Sequence, residues 1–468
     1  MDDDQPSCLH IAMYPWFAYG HLSPFLSLSN KLAERGHRIS FLLPDKTQSK
    51  LDLLNFHPNL IEFIPLILPA IEGLPPGSET TAEIPVELHH LLMAAMDATK
   101  PQVKTALSRL KPDYIFYDFT HWLPRMASKF CVKSVHYCTT SMAAISYLLV
   151  PVTNKIEKGI DTQITEDEWM QQPPGFPPSS IRLHRHEAKA MNFITYRDYG
   201  NISFHERLNL SFKNADALSF RSSRKLEGRF VDFIGDRYGK QVLLSGPLLP
   251  KPPSFKLEKK WDKWLNQFEP RSVIFCSFGS ECHMEKDQFQ ELLLGFELTD
   301  MPFFLALKTP LGALTMDEAL PRGYKERIED RGMLENGWVQ QQLIIAHPSV
   351  GCFVSHCGLS SVTETLVNNP QLVLLPNAGD QYIIARLLAE DLKVGVEVEK
   401  REDNGWFTKE SICKAIFTVM DDDNEIGKVV RENRLKMKEL LVRDGFEDDY
   451  ITDFIEQLRD VDEDPFRD

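Results

Sequence analysis

Residues 338–364 read WVQQQLIIAHPSVGCFVSHCGLSSVTE. Within them Gly351 to Ser355 is a short apolar run that suits a strand. His356, Cys357 and Gly358 then pass the chain to a helix whose first turn carries Ser360 and Ser361. A strand that feeds a helix directly is half of a β-α-β unit, and the same alternation continues on both sides of this stretch. In the carboxyl half, strands are expected at 272–280, Phe303 to Leu307, Met333 to Trp338, Leu372 to Leu375 and Gly395 to Val398. In the amino half they are expected at Leu9 to Tyr14, Ile39 to Leu43, Tyr114 to Tyr117 and Ser134 to Cys138. Between the first two, Leu22, Phe25, Leu26, Leu32 and Ala33 make one helical stripe, with Gly36 placed to end it. The pattern predicts an α/β fold with parallel sheets covered by helices on both faces.

At 468 residues and 43% hydrophobic composition, the chain exceeds what one core organises, so two domains are expected. A Pro-rich break at 246–254 (GPLLPKPPS) separates halves of similar size. The expected division is an amino-terminal domain over 1–245, a linker over 246–270 and a carboxyl-terminal domain over 271–445. The segment Lys256 to Lys263, with Trp261 inside it, reads as a solvated linker helix. From Pro151 to Ala190 the alternation degrades and Pro173, Pro174, Pro177 and Pro178 crowd together, as in a lid or substrate loop. Near the end, Ile451, Phe454, Ile455 and Leu458 form an amphipathic stripe, so the helix at about 446–468 is expected to pack back on the first domain.

A net charge of −15 argues against nucleic acid and anionic membrane as partners. The first six residues, MDDDQP, lack the features of a secretory signal, and the richest apolar run, Met142 to Val152, is too short to span a bilayer. The eight cysteines have no metal-ligand spacing and read as reduced thiols. A monomer in the cytoplasm with no metal and no cofactor is the expectation.

The turn after Ser355 brings free backbone N–H groups, a positive dipole end, two hydroxyls and the His356 imidazole around one point, which suits a diphosphate. Glu364, three residues past Ser361 and four past Ser360, can accept from both ribose hydroxyls. Trp338, at the end of a predicted strand, offers a flat face to a base. Asp380 and Gln381, in PNAGDQ after another strand, suit sugar hydroxyls. Taken singly, each residue also has a plain structural reading: Trp338 as a core ring, the serines as helix caps, Asp380 as a solvated helix start.

An imidazole with an ordinary pKa of about 6.5 suits a general base at neutral pH. His21 follows the first strand in YPWFAYGHLSPFL, with Gly20 before it. Asp118 ends another strand in YIFYDFTHW, where it can fix the tautomer of His21 and stabilise the imidazolium.

The segment from Trp338 to Gln381 resembles the signature box of plant family 1 uridine-diphosphate (UDP)-dependent glycosyltransferases, and the similarity runs over nearly the whole chain. The resemblance implies two Rossmann-like domains facing across a cleft (GT-B type) and an inverting transfer from a UDP-sugar to a small lipophilic acceptor, with His21 as base and Asp118 as its partner. It implies that Trp338 stacks on uracil, that the Val339 backbone and Gln341 read uracil and ribose, and that Glu364 holds the ribose. His356, Gly358 and Ser361 would hold the diphosphate, with Ser280 reaching it from the other side, and Asp380 and Gln381 would hold the sugar. The family box usually has Trp-Asn where this chain has Leu359-Ser360. That departure, together with the flanks of His21 and Asp118, resembles the branch that adds a second sugar to a glycoside, often a flavonoid or anthocyanin 3-O-glycoside and also terpenoid glycosides. Trp16, Tyr19, Phe119, Trp122 and Thr139 would line the acceptor pocket.

The rival enzyme classes lack their marks. No G-x-G-x-x-G follows a predicted strand and no G-x-S-x-G occurs. Asp-x-Asp triplets lie only at Asp2 to Asp4, Asp421 to Asp423 and Asp460 to Asp464, in acidic tails or just after a helix. A nucleotide-sugar binder without chemistry would share the Trp338 segment but would have no use for His21 and Asp118.

Overall fold

The computed structural model describes residues 8–160, 163–249, 251, 256–279, 282 and 284–461. Two separate parallel sheets organise the chain. The first contains β1 (His10–Tyr14), β2 (Arg38–Pro44), β3 (Ile61–Leu66), β4 (Tyr114–Tyr117), β5 (Lys133–Cys138), β6 (Ala217–Phe220) and β7 (Val242–Leu244), in the order β3-β2-β1-β4-β5-β6-β7. The second contains β8 (Val273–Ser277), β9 (Phe303–Ala306), β10 (Gly332–Glu335), β11 (Val350–Ser355), β12 (Gln371–Leu374) and β13 (Val396–Glu397), in the order β10-β9-β8-β11-β12-β13.

Each central strand is apolar on both faces because each sheet is covered on both sides. In β1, Ile11 and Met13 enter one core while Ala12 and Tyr14 enter the other. In β8, Ile274 and Cys276 face one core and Val273 and Phe275 its opposite. The strand order reverses between β1 and β4 in the first sheet and between β8 and β11 in the second, and open parallel sheets bind ligands beyond the carboxyl ends of strands at such points. The pairing Tyr14↔Tyr117 sets the residues after β1 beside those after β4, and Ser355↔Ser277 does the same for β11 and β8.

Several local expectations change. The strand expected to reach Trp338 stops at Glu335, because Gly337, at φ +130°, turns the chain out of the sheet. The helix around Trp261 is Lys259–Leu265 and is not a solvated spacer. Its Trp261 and Leu265 are buried in the second domain, where Trp261 Nε1 donates to Glu335 Oε1 at 2.8 Å. The Pro-rich break is partly interior as well, with Leu248 2% exposed. Pro151 lies inside the helix Met142–Glu157, and the irregular stretch beyond it is packed: Trp169, Phe176 and Ile181 are core residues. Of the cysteines, 138, 276, 352 and 357 are buried, whereas Cys8 and Cys131 are exposed.

The helix Phe446–Asp460 begins in the core of the second sheet, at Phe446, and ends under the first. There Ile451, Phe454, Ile455 and Leu458 join the core below β1 and β4, and Tyr114 Oη donates to the Leu458 carbonyl at 2.9 Å. A buried ion pair crosses between the two halves: Arg386 Nη2 lies 3.0 Å from Glu187 Oε1, while its Nη1 meets Glu397. No helix among the described residues is long and apolar enough to cross a membrane.

Candidate functional site

His21 sits in the first turn of the helix Tyr19–Glu34, and Asp118 directly follows β4. Strand pairing at the reversal point brings them together, and His21 Nδ1 lies 2.8 Å from Asp118 Oδ2. A carboxylate only accepts, so Nδ1 carries the hydrogen and Nε2 is left as the acceptor. Asp118 is 2% exposed. Its position is fixed by backbone donors, Trp16 N–H to Oδ2 at 2.9 Å and Phe119 N–H to Oδ1 at 2.7 Å. Thr139 Oγ1 lies 3.3 Å from the same His21 nitrogen, and the Phe119 ring stands 5.3 Å from the imidazole.

The remaining acceptor candidates separate. Trp16 stands edge-on to Phe119 at 6.3 Å and belongs to the group around His21. Trp122 is tied inward, its Nε1 donating to Asp97 Oδ1 at 2.7 Å beside the buried Arg207. Tyr19 packs on the core that lies on the other face of the sheet, with Lys50 Nζ 5.9 Å over its ring. These contacts do not tie Trp122 or Tyr19 to the group around His21.

In the second domain, β11 ends at Ser355, Cys357 takes φ +70°, and Gly358 caps the helix Leu359–Leu366. The His356 ring lies against two glycines. A Cβ on Gly358 would come 2.5 Å from His356 Nε2, and one on Gly279 would come 3.1 Å from the ring. Glycine at both positions is what lets the turn after β8 and the helix start close around one imidazole. The helix amino terminus has no side-chain cap, so its first N–H groups stay open to an anion. Ser280 lies outside the described residues.

Glu364 is reached by two amides from the helix Gln341–Ile345. Gln341 Nε2 donates to Glu364 Oε2 at 2.7 Å and to Ser361 Oγ at 3.0 Å, and Gln342 Nε2 donates to Glu364 Oε1 at 3.3 Å. Burial pushes the Glu364 carboxyl above its ordinary value, and these amides pull the other way. Ser361 and Glu364 thus share a face, whereas Ser360 turns aside and accepts from Arg221 Nη1 at 2.7 Å. Val339 is 5% exposed while Trp338 beside it is 78% exposed. The core reading of Trp338 fails on that figure.

Asp380 caps the helix Gln381–Arg386, and its Oδ2 accepts from Thr140 of the first domain. Gln381 Oε1 accepts from the backbone N–H groups of Asn377 and Ala378 at 3.0 and 3.2 Å, which leaves its amide hydrogens available to a ligand. Sequence reading passed over Thr140, Arg221 and Gln342. Gln342, beside Gln341, and Thr140, beside Thr139, each adjoined a residue already singled out.

Two doubly covered parallel sheets with polar residues gathered at each reversal point make a fold of the GT-B type. Solved structures share that fold. A Phytolacca americana protein complexed with UDP-2-fluoro-glucose and pterostilbene superimposes with a TM-score of 0.77 at 22% identity, covering 97% of this chain and 99% of that one. A Glycyrrhiza uralensis protein complexed with glycyrrhetinic acid 3-O-monoglucuronide gives a TM-score of 0.79 at 20% identity, covering 97% and 96%. Residues 325–440 match the family model described as UDP-glucoronosyl and UDP-glucosyl transferase. The chain is 50% identical over 453 residues to a cyanidin 3-O-galactoside 2''-O-xylosyltransferase of Actinidia chinensis var. chinensis, spanning 97% of this chain and 98% of that one. It is 49% identical over 458 residues to an anthocyanidin 3-O-glucoside 2''-O-glucosyltransferase of Ipomoea nil, spanning 98% and 99%. The chain belongs to the UDP-glycosyltransferase family and is an enzyme of that class.

Proposed function

We propose that this enzyme moves a sugar from a UDP-sugar to a sugar hydroxyl of an anthocyanidin or flavonoid 3-O-glycoside, with inversion at the anomeric carbon. The observation that carries the chemistry is the 2.8 Å contact between His21 Nδ1 and the buried Asp118. With Nδ1–H engaged, Nε2 takes the proton of the acceptor hydroxyl as its oxygen bonds to the anomeric carbon, and the bond from that carbon to the diphosphate breaks and releases UDP. Asp118 balances the imidazolium, so no covalent enzyme intermediate is required. Trp338, the Val339 backbone, Gln341 and Glu364 take the uridine. His356, Gly358, Ser360 and Ser361, with Ser280, take the diphosphate. Asp380 and Gln381 take the sugar, and Trp16, Phe119 and Thr139 face the acceptor. The two close relatives above are named for transfer to an anthocyanin glycoside, which supports a sugar hydroxyl as the acceptor.

On this reading residues 1–245 form the acceptor domain and 271–445 the donor domain, joined by 246–270, with the last helix, Phe446–Asp460, returning to the acceptor side. The enzyme works as a cytoplasmic monomer and needs no metal or further cofactor. The test pairs a panel of UDP-sugars with a flavonol, its 3-glucoside and an anthocyanidin 3-glucoside, reading product mass. Turnover on the glycosides with little on the bare flavonol is expected, and preference for the bare flavonol refutes the acceptor assignment. His21→Ala should keep UDP binding and lose most transfer, so near-normal turnover in that variant refutes the base.

A further inference from the structure

Arg221 follows β6 in the first domain and is 7% exposed. Its guanidinium is held by neutral acceptors: Nε donates to the Pro247 carbonyl at 2.9 Å, Nη2 to the Leu248 carbonyl at 3.1 Å and Nη1 to Ser360 Oγ at 2.7 Å. Among the described residues no carboxylate lies at ion-pair distance from it. Burial lowers its pKa, and Glu364 and Glu447 act on it only from farther away. A buried cation without a counter-ion is costly, which argues that the structure keeps it for an anion that arrives later. The anion is near at hand, because Ser360 is the second residue of the helix whose open amino terminus faces the proposed diphosphate site.

The direction of one hydrogen bond adds a second argument. Arginine has no acceptor, so at this contact the Ser360 oxygen accepts. Its own hydrogen is not used by that contact, so the Ser360 hydroxyl can donate to an incoming oxyanion, polarised by the cation behind it.

We infer that Arg221 is a positioning residue of the donor site, supplied by the acceptor domain, which orients Ser360 and adds positive charge selective for the diphosphate over the uncharged nucleoside. This rests on the donor-site reading given above. The test is calorimetric binding of UDP and of uridine to the full chain, wild type against Arg221→Gln, Arg221→Lys, Ser360→Ala and the Arg221→Gln/Ser360→Ala double variant, with melting temperature as a fold control. The expected result is a UDP-to-uridine affinity ratio about tenfold lower in Arg221→Gln, with uridine affinity unchanged. Arg221→Lys should recover most of the ratio, and the double variant should be no worse than Arg221→Gln because both act through one contact. An unchanged ratio in a folded Arg221→Gln overturns the inference and leaves the donor site standing. Should Arg221→Gln not fold, Ser360→Ala and Arg221→Lys decide. A ratio lowered by Ser360→Ala and largely kept by Arg221→Lys supports the inference, and a ratio that Ser360→Ala leaves unchanged overturns it. Wild-type protein that binds UDP no better than uridine overturns the donor-site reading itself, and the inference with it.

Discussion

Replacing Asp118 by asparagine separates the charge of that side chain from its shape. Oδ2 serves two donors, His21 Nδ1–H and Trp16 N–H, whereas Oδ1 serves Phe119 N–H alone. An asparagine must therefore place its oxygen on the Oδ2 side, since its amide hydrogens there would confront two N–H groups. The imidazole keeps its orientation and tautomer, and the Phe119 N–H loses its acceptor. What disappears is the negative charge opposite the imidazolium. With charge centres roughly 4 Å apart and an effective dielectric near 20, that attraction amounts to about 4 kcal/mol, or roughly a 10³-fold fall in transfer rate. The orphaned N–H adds about 1–3 kcal/mol of lost stability, a modest drop in Tm. Steady-state transfer at saturating donor, with UDP titrated separately, reads both effects. The expectation is a kcat near one thousandth of wild type with UDP affinity within twofold. A kcat within tenfold of wild type would refute the charge argument, and a parallel loss of UDP affinity would mean that the substitution had damaged the cleft.

Trp338→Ala should weaken UDP and uridine equally, by about 1–3 kcal/mol if the ring stacks on the base; because the ring is 78% exposed, Tm should not move, and unchanged uridine affinity would deny the platform. Glu364 has a raised carboxyl value in the free enzyme, so protonation favours the empty fold, and that stabilisation is lost as pH rises through the folded value. Ribose hydroxyls need the ionised form, so UDP binding should release a proton and weaken as pH falls through the raised value, whereas Glu364→Gln should bind weakly with a flat profile; a flat wild-type profile by calorimetry would refute this. Glu187→Ala leaves half of the buried Arg386 network uncompensated and should cost about 3–5 kcal/mol in thermal unfolding, with Glu187→Gln costing less; equal Tm values for all three proteins would show that the pair contributes nothing.

The legible parts of the fold were those whose signal is local. β1, β2, β4, β8, β9 and β11 stood out because both of their faces are buried and their sequences are largely apolar. β3 escaped notice because it is an edge strand, paired only with β2, with Glu62 and Pro65 turned to solvent. β7 is only three residues long, whereas β6 was passed over although it is as long as β4. His21, at the start of the helix after β1, and Asp118, directly after β4, were picked out by the family resemblance, but their 2.8 Å contact depends on β1 pairing with β4 and joins residues 97 apart, which no local pattern contains. Trp338 was singled out for its chemistry and misplaced in its strand, because the Asn336-Gly337 turn signal before it was passed over.

The residues that sequence reading missed are the ones that join the two halves of the molecule. Thr140 meets Asp380, Arg221 meets Ser360 and Glu187 meets Arg386, and each pair links the first domain to a helix of the second that opens on, or lies just behind, the proposed donor site. None of these pairs has a spacing rule, because each partner is fixed by a different sheet. Their placement has a consequence for the chemistry. On the proposed mechanism an inverting transfer needs the anomeric carbon held within reach of His21, which is on one sheet, while the proposed diphosphate site is on the other. A cleft joined by buried polar pairs beside the donor sets that distance before the acceptor arrives, as effective positioning demands. Solvated surface charges could not do this, since they bring too little energy to fix two domains against each other.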